Sequence, residues 1–416
     1  MLPHLQSALG ICAIIAIAWA LSENRSAFSW RMVAGTLVAQ AIIAVLLLKV
    51  PLMREALFGL NGAVVALSDA TKSGTSFIYG FLGGGPAPFA VTQPGNMINL
   101  AFGVLPLIIV ISALSAILWY WRVLPAIVGA MAAVLRRSMG LGGAVGLSAA
   151  ATVFLGNVEG QLVIRPYLAR LSRTELFILM TVGLSVIAGT VFVLYATLLK
   201  DVLPGALGHL LVASMMSLPG GILIARIMVP GDADTDVSGQ DATVKYHSTM
   251  DAMSRGTEDG LKIYLQIVAM LIVMTALTAL VNIILSALPP VFGAPLTIER
   301  ILGWLFAPLV WLYGVPWHEA ATAGSLAGIK VVLTELIAYV RMGELPPGSL
   351  DPRATQIMVY AMCGFGNLAS VGILIGGMSA IIPERRAEIV PLAMRALVSG
   401  TLASGLTGAM IGLLPL

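Results

Sequence analysis

Apolar residues run in long blocks near 8–21, 32–50, 101–121, 174–199, 203–228, 261–287, 355–382 and 388–414, separated by polar turns. A helix needs about 20 residues to cross a hydrocarbon core, and these blocks are of that order. A lone strand would leave its backbone unpaired in lipid, so the blocks predict eight transmembrane helices. Two further stretches, 141–168 and 296–342, are apolar enough to enter the bilayer but are interrupted near the middle. GNVEG (156–160) breaks the first and YGVPWHE (313–319) breaks the second. Non-helical backbone survives at membrane depth only when buried in protein or lining an aqueous cavity, so both stretches are expected to be re-entrant hairpins.

Charge sets the orientation. Arg25 and Arg31, then Arg122, Arg136 and Arg137, then Arg165, Arg170 and Arg173 fall in turns that the positive-inside rule assigns to the cytoplasm. The polar segment 229–259, with Asp232, Asp234, Asp236, Lys245 and Arg255, and the turn Glu384-Arg385-Arg386 fall on the same side, which leaves both termini outside. The first hairpin then enters from the cytoplasm and the second from outside. Each precedes a span, 174–199 or 355–382, that carries its own breaker residues, which is the pattern of an inverted repeat. Interrupted segments at matching positions of two halves point to a binding site near the bilayer midplane.

The stretches 52–72 and 123–138 are amphipathic and are expected to lie along the interface. GLGGAVG (140–146) fits either close helix packing or a hairpin start. The expected organisation is 1–122, N-terminal spans and an interfacial helix; 123–200, first interfacial and re-entrant segment with its broken span; 201–290, central spans with the loop 229–259; 291–386, second hairpin and broken span; and 387–416, the last span.

Composition agrees with this all-α polytopic membrane fold. Of 416 residues, 58% are hydrophobic and 10% charged, against roughly 25% charged in soluble domains. No positive cluster precedes the first block and a second follows at once, so it reads as a retained helix, not a cleaved leader. Cys12 and Cys363 sit in different blocks with no metal-ligand spacing, so neither a metal site nor a disulfide is expected. No P-loop and no other cofactor signature is present. Basic residues show no interleaved aromatic pattern, so no nucleic acid is expected as partner.

The chemistry concentrates in the breaks. A carboxylate at membrane depth faces the protein interior, where it finds donors or exchanges a proton. Glu159 stands at the first hairpin tip, beside Asn157, whose amide both donates and accepts. Glu335, in KVVLTELIAY (330–339), is placed five residues after Lys330 on a long helix, with an ion pair to Lys330 as its alternative role. Glu319 occupies the second expected tip, and His318 beside it either titrates or serves as a structural hydrogen-bonding residue. In CGFGNLAS (363–370), glycines loosen the helix while Asn367 and Ser370 add hydrogen-bonding capacity and Phe365 an apolar face. Two carboxylates, an amide and a hydroxyl suit a ring-bearing polyol. An intramembrane transferase using Glu159 and Glu335 as acid and base, and a pore, are the competing classes.

These segments resemble the concentrative nucleoside transporters. FLGNVEGQLVIRPY (154–167) is similar to that family's GQxE hairpin tip, GIKVVLTELIAY (328–339) to its GxKxxxNEFVA signature, and CGFGNLAS to its CGFANxSS. GTSFIYG (74–80) and GVPWHEA (314–320) also have counterparts, and the match runs in order over essentially the whole chain. The resemblance implies a homotrimer in a bacterial inner membrane, each protomer with a scaffold and an elevator-type transport domain, taking up nucleosides with an ion gradient. By position it implies that Gly156, Asn157, Val158 and Glu159 face the nucleobase, that Glu335, Asn367 and Ser370 face the ribose, and that Phe365 and Val191 flank them. The family's Gln, Thr or Ser and Asn-Glu-Phe appear here as Asn157, Val158 and Thr334-Glu335-Leu336, which leaves the base preference open. A sodium site would fall on Thr152, Leu155, Val186 and Ile187. Valine offers no side-chain oxygen to a hard cation, so the expected coupling ion is a proton taken up by Glu159, with sodium the alternative.

Overall fold

The computed structural model describes residues 2–91, 99–235, 246–291 and 293–414. Asp236 and Lys245 of the polar segment 229–259 lie outside the described residues. Among the described residues the chain is helical throughout, with one isolated β-bridge, between Val291 and Ala294.

The chain opens with α1 (Leu2–Ala20), α2 (Trp30–Lys49), the long α3 (Pro51–Tyr79) and α4 (Leu107–Tyr120), which a π-turn at Leu100–Val104 introduces. The interfacial stretch is therefore longer than expected and absorbs most of GTSFIYG. Then come α5 (Val123–Met139), α6 (Gly143–Leu155), two short turns α7 (Glu159–Leu162) and α8 (Arg165–Leu168), and a span split into α9 (Arg173–Ser185) and α10 (Gly189–Leu198). After α11 (Ala206–Met228) and α12 (Thr249–Ser286) the pattern returns: α13 (Ile298–Tyr313), α14 (Ala320–Val332), α15 (Glu335–Gly343), a second split span α16 (Pro352–Met362) and α17 (Leu368–Ile381), then α18 (Arg386–Leu413). Among the described residues, six stretches are long and apolar enough to cross a membrane by length and composition. The slightly shorter α1 and the split α16–α17 make up the eight expected spans.

The two halves correspond element by element. α5 packs on α6 as α13 packs on α14, and α9 and α16 pack on α11 and α18 respectively. This alignment corrects one expectation. YGVPWHE is only the connection between α13 and α14, with Trp317 and His318 in solvent, His318 at 79% side-chain exposure. The second deep turn lies at Leu333–Thr334, so Glu335 begins a helix instead of sitting within one. Glu319 belongs to the connection, where it accepts the Asp351 N–H at 3.1 Å and so fixes the start of α16.

Local chemistry explains the breaks. Gly156 ends α6 at φ 113°, a backbone region that side chains rarely tolerate. Ser172 and Glu175 form a reciprocal capping box on α9. The hydroxyl of Thr334 accepts from Ile337 N–H to start α15, and Asn367 accepts from Ser370 N–H to start α17. Each cap satisfies a donor that a broken helix would otherwise bury unpaired.

The ends of the molecule sort as the charge pattern expects. Glu23 in the α1–α2 turn meets Arg173 of α9 and Arg395 of α18, while Arg385 donates to the Leu171 carbonyl at 2.7 Å. Arg226 at the end of α11 donates to the Met139 carbonyl at 2.7 Å, which brings the end of α5 to the same face. At the opposite end both termini meet the α13–α14 connection: Ser7 donates to the Tyr313 carbonyl, and Arg353 to those of Gly314 and Gly412.

α12 and α4 form a separate pair. Gly256 and Gly260, four residues apart, bring α12 against Ser112 and Ala116 of α4, the close approach that small residues allow in membranes. Further along α12, Ile272, Leu277, Ile283 and Ile284 are uncovered within the chain.

Candidate functional site

All four interruptions line one cavity of about 180 Å³. The first tip contributes Leu155 to Glu159, the α9–α10 break Ala188, Thr190 and Val191, the second tip Thr334 to Leu336, and the α16–α17 break Phe365, Asn367 and Ser370. The structure thus gathers Gly156, Asn157, Val158, Glu159, Val191, Glu335, Phe365, Asn367 and Ser370 around one space. The remaining wall is α12, through Ile263, Gln266, Ile267, Met270 and Leu271. Their spacing is one helical stripe.

Glu335 is the most constrained group. It is 4% exposed and accepts the Tyr195 hydroxyl at 2.6 Å and the Asn367 amide at 2.7 Å. Asn367 uses its other end to cap α17, so one side chain ties the second tip to the second broken span. Tyr195 stacks beside Tyr339, their ring centroids 5.1 Å apart, and Tyr339 donates to the Val359 carbonyl. The ion pair with Lys330 does not form; Lys330 is buried and donates to the Ser404 hydroxyl at 3.3 Å. The helix break at Leu333–Thr334 separates the two residues.

Glu159 occupies the matching position, the first residue after its own break, yet its surroundings differ. It is exposed to the cavity, flanked by the backbone N–H groups of Val158 and itself. Among the described residues no side chain hydrogen-bonds to it. Its neighbours are anchored through their packing. Asn157 is 6% exposed with both amide atoms unpartnered, and its oxygen lies 1.9 Å from where a Cβ on Gly183 of α9 would stand. Val158 fills the notch at Gly377 of α17 in the same way, at 2.6 Å. The first tip is therefore wedged between both split spans. Gln161, fully buried one turn later, also has both amide atoms unpartnered.

The four candidate sodium positions separate. Leu155 lines the cavity, whereas Thr152, Val186 and Ile187 are buried behind it. The Thr152 hydroxyl donates to the Ser148 carbonyl at 2.8 Å, and the Val186 carbonyl accepts from Phe365 N–H at 3.2 Å.

Sequence reasoning passed over Tyr195, Thr190 and Gln266. Tyr195 carried a readable signal, standing four residues after Val191 and hence on the same helix face. Gln266 is an amide at the head of the apolar run of α12. Its facing toward the site required the fold.

Residues 209–412 match the family described as Na+ dependent nucleoside transporter C-terminus, residues 9–82 its N-terminus, and residues 101–201 the nucleoside recognition family called Gate. The nucleoside permease NupC of Helicobacter pylori is 34% identical over 414 residues, covering 98% of this chain and 97% of its own. The chain belongs to the concentrative nucleoside transporter family. Within that family it is also similar to the rat sodium/nucleoside cotransporter 1, at 27% identity over 99% of this chain and 64% of the rat protein. Its fold is that of CNTnw in an inward-facing substrate-bound state, with TM-score 0.88, 35% identity and coverage of 98% of this chain and 97% of the other. A CNTnw variant in an outward-facing state is equally similar, with TM-score 0.90, 34% identity and coverage of 99% and 97%. The transferase alternative falls with this membership: the family is one of transporters, not enzymes.

Proposed function

We propose that the protein takes up nucleosides across a bacterial inner membrane by secondary active transport, coupled to the proton gradient. The contrast between the two carboxylates carries this reading. Glu335 already holds two donors and is set to accept a further one from a ligand hydroxyl, a charge-assisted contact suited to ribose. Glu159 faces the cavity without a side-chain partner, so its charge is balanced only by what enters the cavity, a nucleobase donor or a proton. A bare carboxylate resists transfer through a low-dielectric region, and its protonated form does not.

Asn157, Val158 and Glu159 then face the base, Glu335, Asn367 and Ser370 the ribose, and Phe365 and Val191 flank the rings. Gly156 lets the first tip approach. Proton coupling is favoured over sodium because the buried positions behind the cavity supply one hydroxyl, Thr152, already donating to Ser148, and an isopropyl group, Val186. A hard cation takes several oxygen ligands. The smooth apolar stripe of α12 opposite the hairpins supports an elevator motion, in which the hairpin body slides along the α4–α12 pair. The uncovered face of α12 supports a homotrimer built around that pair.

The test is uridine accumulation in proteoliposomes at fixed membrane potential, with the pH and sodium gradients imposed separately and a nucleoside and nucleobase panel as competitors. Accumulation should follow the inward pH gradient. Dependence on sodium alone would overturn the proton assignment, and equilibration without accumulation would indicate a pore.

A further inference from the structure

A groove of about 920 Å³ lies between α2, α5 and α11, away from the nucleoside cavity. Apart from Thr36, its polar residues gather at one end. Ser29 and Arg31 begin α2, Ser138 ends α5, and Arg226 ends α11, on the face where Glu23, Arg173 and Arg395 also meet. The rest of the lining is apolar or small, including Ile42, Ile43, Met131, Val134, Met215 and Leu218. Among the described residues, none that lines it is acidic.

We propose that this groove holds one anionic phospholipid of the cytoplasmic leaflet, with its phosphate at Arg31 and Arg226 and an acyl chain along Ile42, Ile43 and Met215. Three observations converge on this occupant. From Ser29 to Ile43 the α2 wall rises about 21 Å at 1.5 Å per residue, close to the depth of one leaflet with its headgroups. Cationic groups stand only at the cytoplasmic end, where anionic headgroups concentrate and basic pockets between helices bind them. Arg226 spends two of its donors on the Met139 and Gly140 carbonyls, which fixes the guanidinium at the rim with donors to spare, and Arg31 is exposed beside it. A soluble anion would leave the apolar wall unfilled, and a neutral lipid would leave Arg31 uncompensated, with only Asp232 near Arg226.

The experiment is native mass spectrometry of the purified, delipidated protein titrated with dioleoylphosphatidylglycerol, dioleoylphosphatidylcholine or inorganic phosphate, with thermal unfolding as the check on folding. One phosphatidylglycerol per protomer should be retained in preference to phosphatidylcholine. Arg31→Gln should weaken that retention about fivefold, the share of one basic residue near an anionic surface. Gly35→Trp should abolish it without loss of fold, because Gly35 lines the groove and nothing lies within 4 Å of a Cβ placed there. Arg226 is left intact because it caps α5. Equal retention of the two lipids, full competition by inorganic phosphate, or unchanged retention in Gly35→Trp would overturn the proposal. So would a Gly35→Trp protein that changes its oligomeric mass instead of its lipid content, which would make the groove a protein interface.

Discussion

The first and second halves of the site are built to one plan and finished differently. Both place a carboxylate on the first residue after a deep helix break, Glu159 and Glu335, and both set that break beside a split span. In the second half the carboxylate is locked: Tyr195 and Asn367 hold it, and Thr334 and Asn367 cap the neighbouring helices. In the first half the cap position is Val158, no side chain caps the helix, and amide groups of Asn157 and Gln161 remain unpartnered. Buried amides without partners are rare in folded proteins because each costs about 1–3 kcal/mol. Asn157 and Gln161 therefore leave the first tip less fully bonded within the protein than the second. A repeat can thus supply one half whose polar groups are satisfied within the protein and one half whose groups are not.

The sharpest test of this division is Glu159→Gln. It should abolish accumulation driven by a pH gradient while leaving exchange of labelled uridine across the membrane measurable, because the neutral amide keeps the shape of the protonated carboxyl. If pH-driven accumulation persists, the proton resides elsewhere and the contrast between the halves loses its functional meaning. Glu335→Gln should fail in the other way. It puts an amide donor against Tyr195 and Asn367 and removes the charge-assisted bond to substrate, at a cost of about 1.5–3 kcal/mol, or one to two decades in uridine affinity. Exchange and accumulation should fall together, and wild-type affinity in that variant would dismiss Glu335 as a substrate ligand.

The wedge at the first tip predicts an effect on stability. Gly183→Ala drives a methyl into the Asn157 amide and should lower thermal stability by about 1–3 kcal/mol, the usual cost of overpacking. Asn157→Ala in the same chain should recover most of it; a purely additive double mutant would mean that the two residues do not touch. Smaller again is Tyr195→Phe. Glu335 keeps Asn367 and loses one donor, so about 0.5–1.5 kcal/mol, a two- to tenfold weakening of uridine binding, is expected. Calorimetric titration would measure it, and an unchanged affinity would show that Tyr195 does not position Glu335.

The spans, the two hairpins and the inverted order were legible because long apolar runs and their interruptions are one-dimensional signals. The place of the second deep turn was not. YGVPWHE contains glycine, proline and charge and outweighs LTE, whose break rests on a Thr334 cap and a distorted Leu333 that composition does not reveal. That error carried Glu335 into a helix interior and suggested a pairing with Lys330. Most of the expected site residues that line the cavity stand in three motifs, at 154–167, 328–339 and 363–370, which is why they could be named from the sequence. Tyr195 was passed over although its spacing from Val191 marked it, whereas Gln266 was missed because its place depends on which helix face meets the hairpins, a fact set by packing between distant segments.

The halves also touch away from the site, through Glu23 in the α1–α2 turn. Its carboxylate takes Arg173 of α9 at 2.9 Å, in the first half, and Arg395 of α18, in the second. The hydrogen bond from Arg173 is the main reason that Glu23 is held below the ordinary glutamate value, with Arg395 adding to it. A lowered carboxylate stabilises the fold above its ordinary titration range, and the contribution is lost as pH falls through the lowered value. The cluster is solvent-accessible, with side-chain exposures of 45% for Arg173, 33% for Glu23 and 32% for Arg395, so each pair contributes only about 0.2–1 kcal/mol. Glu23→Gln should therefore lower the unfolding temperature slightly at neutral pH and not at all in acid below the Glu23 titration, and high salt should shrink the difference. If the two proteins differ equally at neutral and acid pH, the link between the halves is one of packing and not of charge.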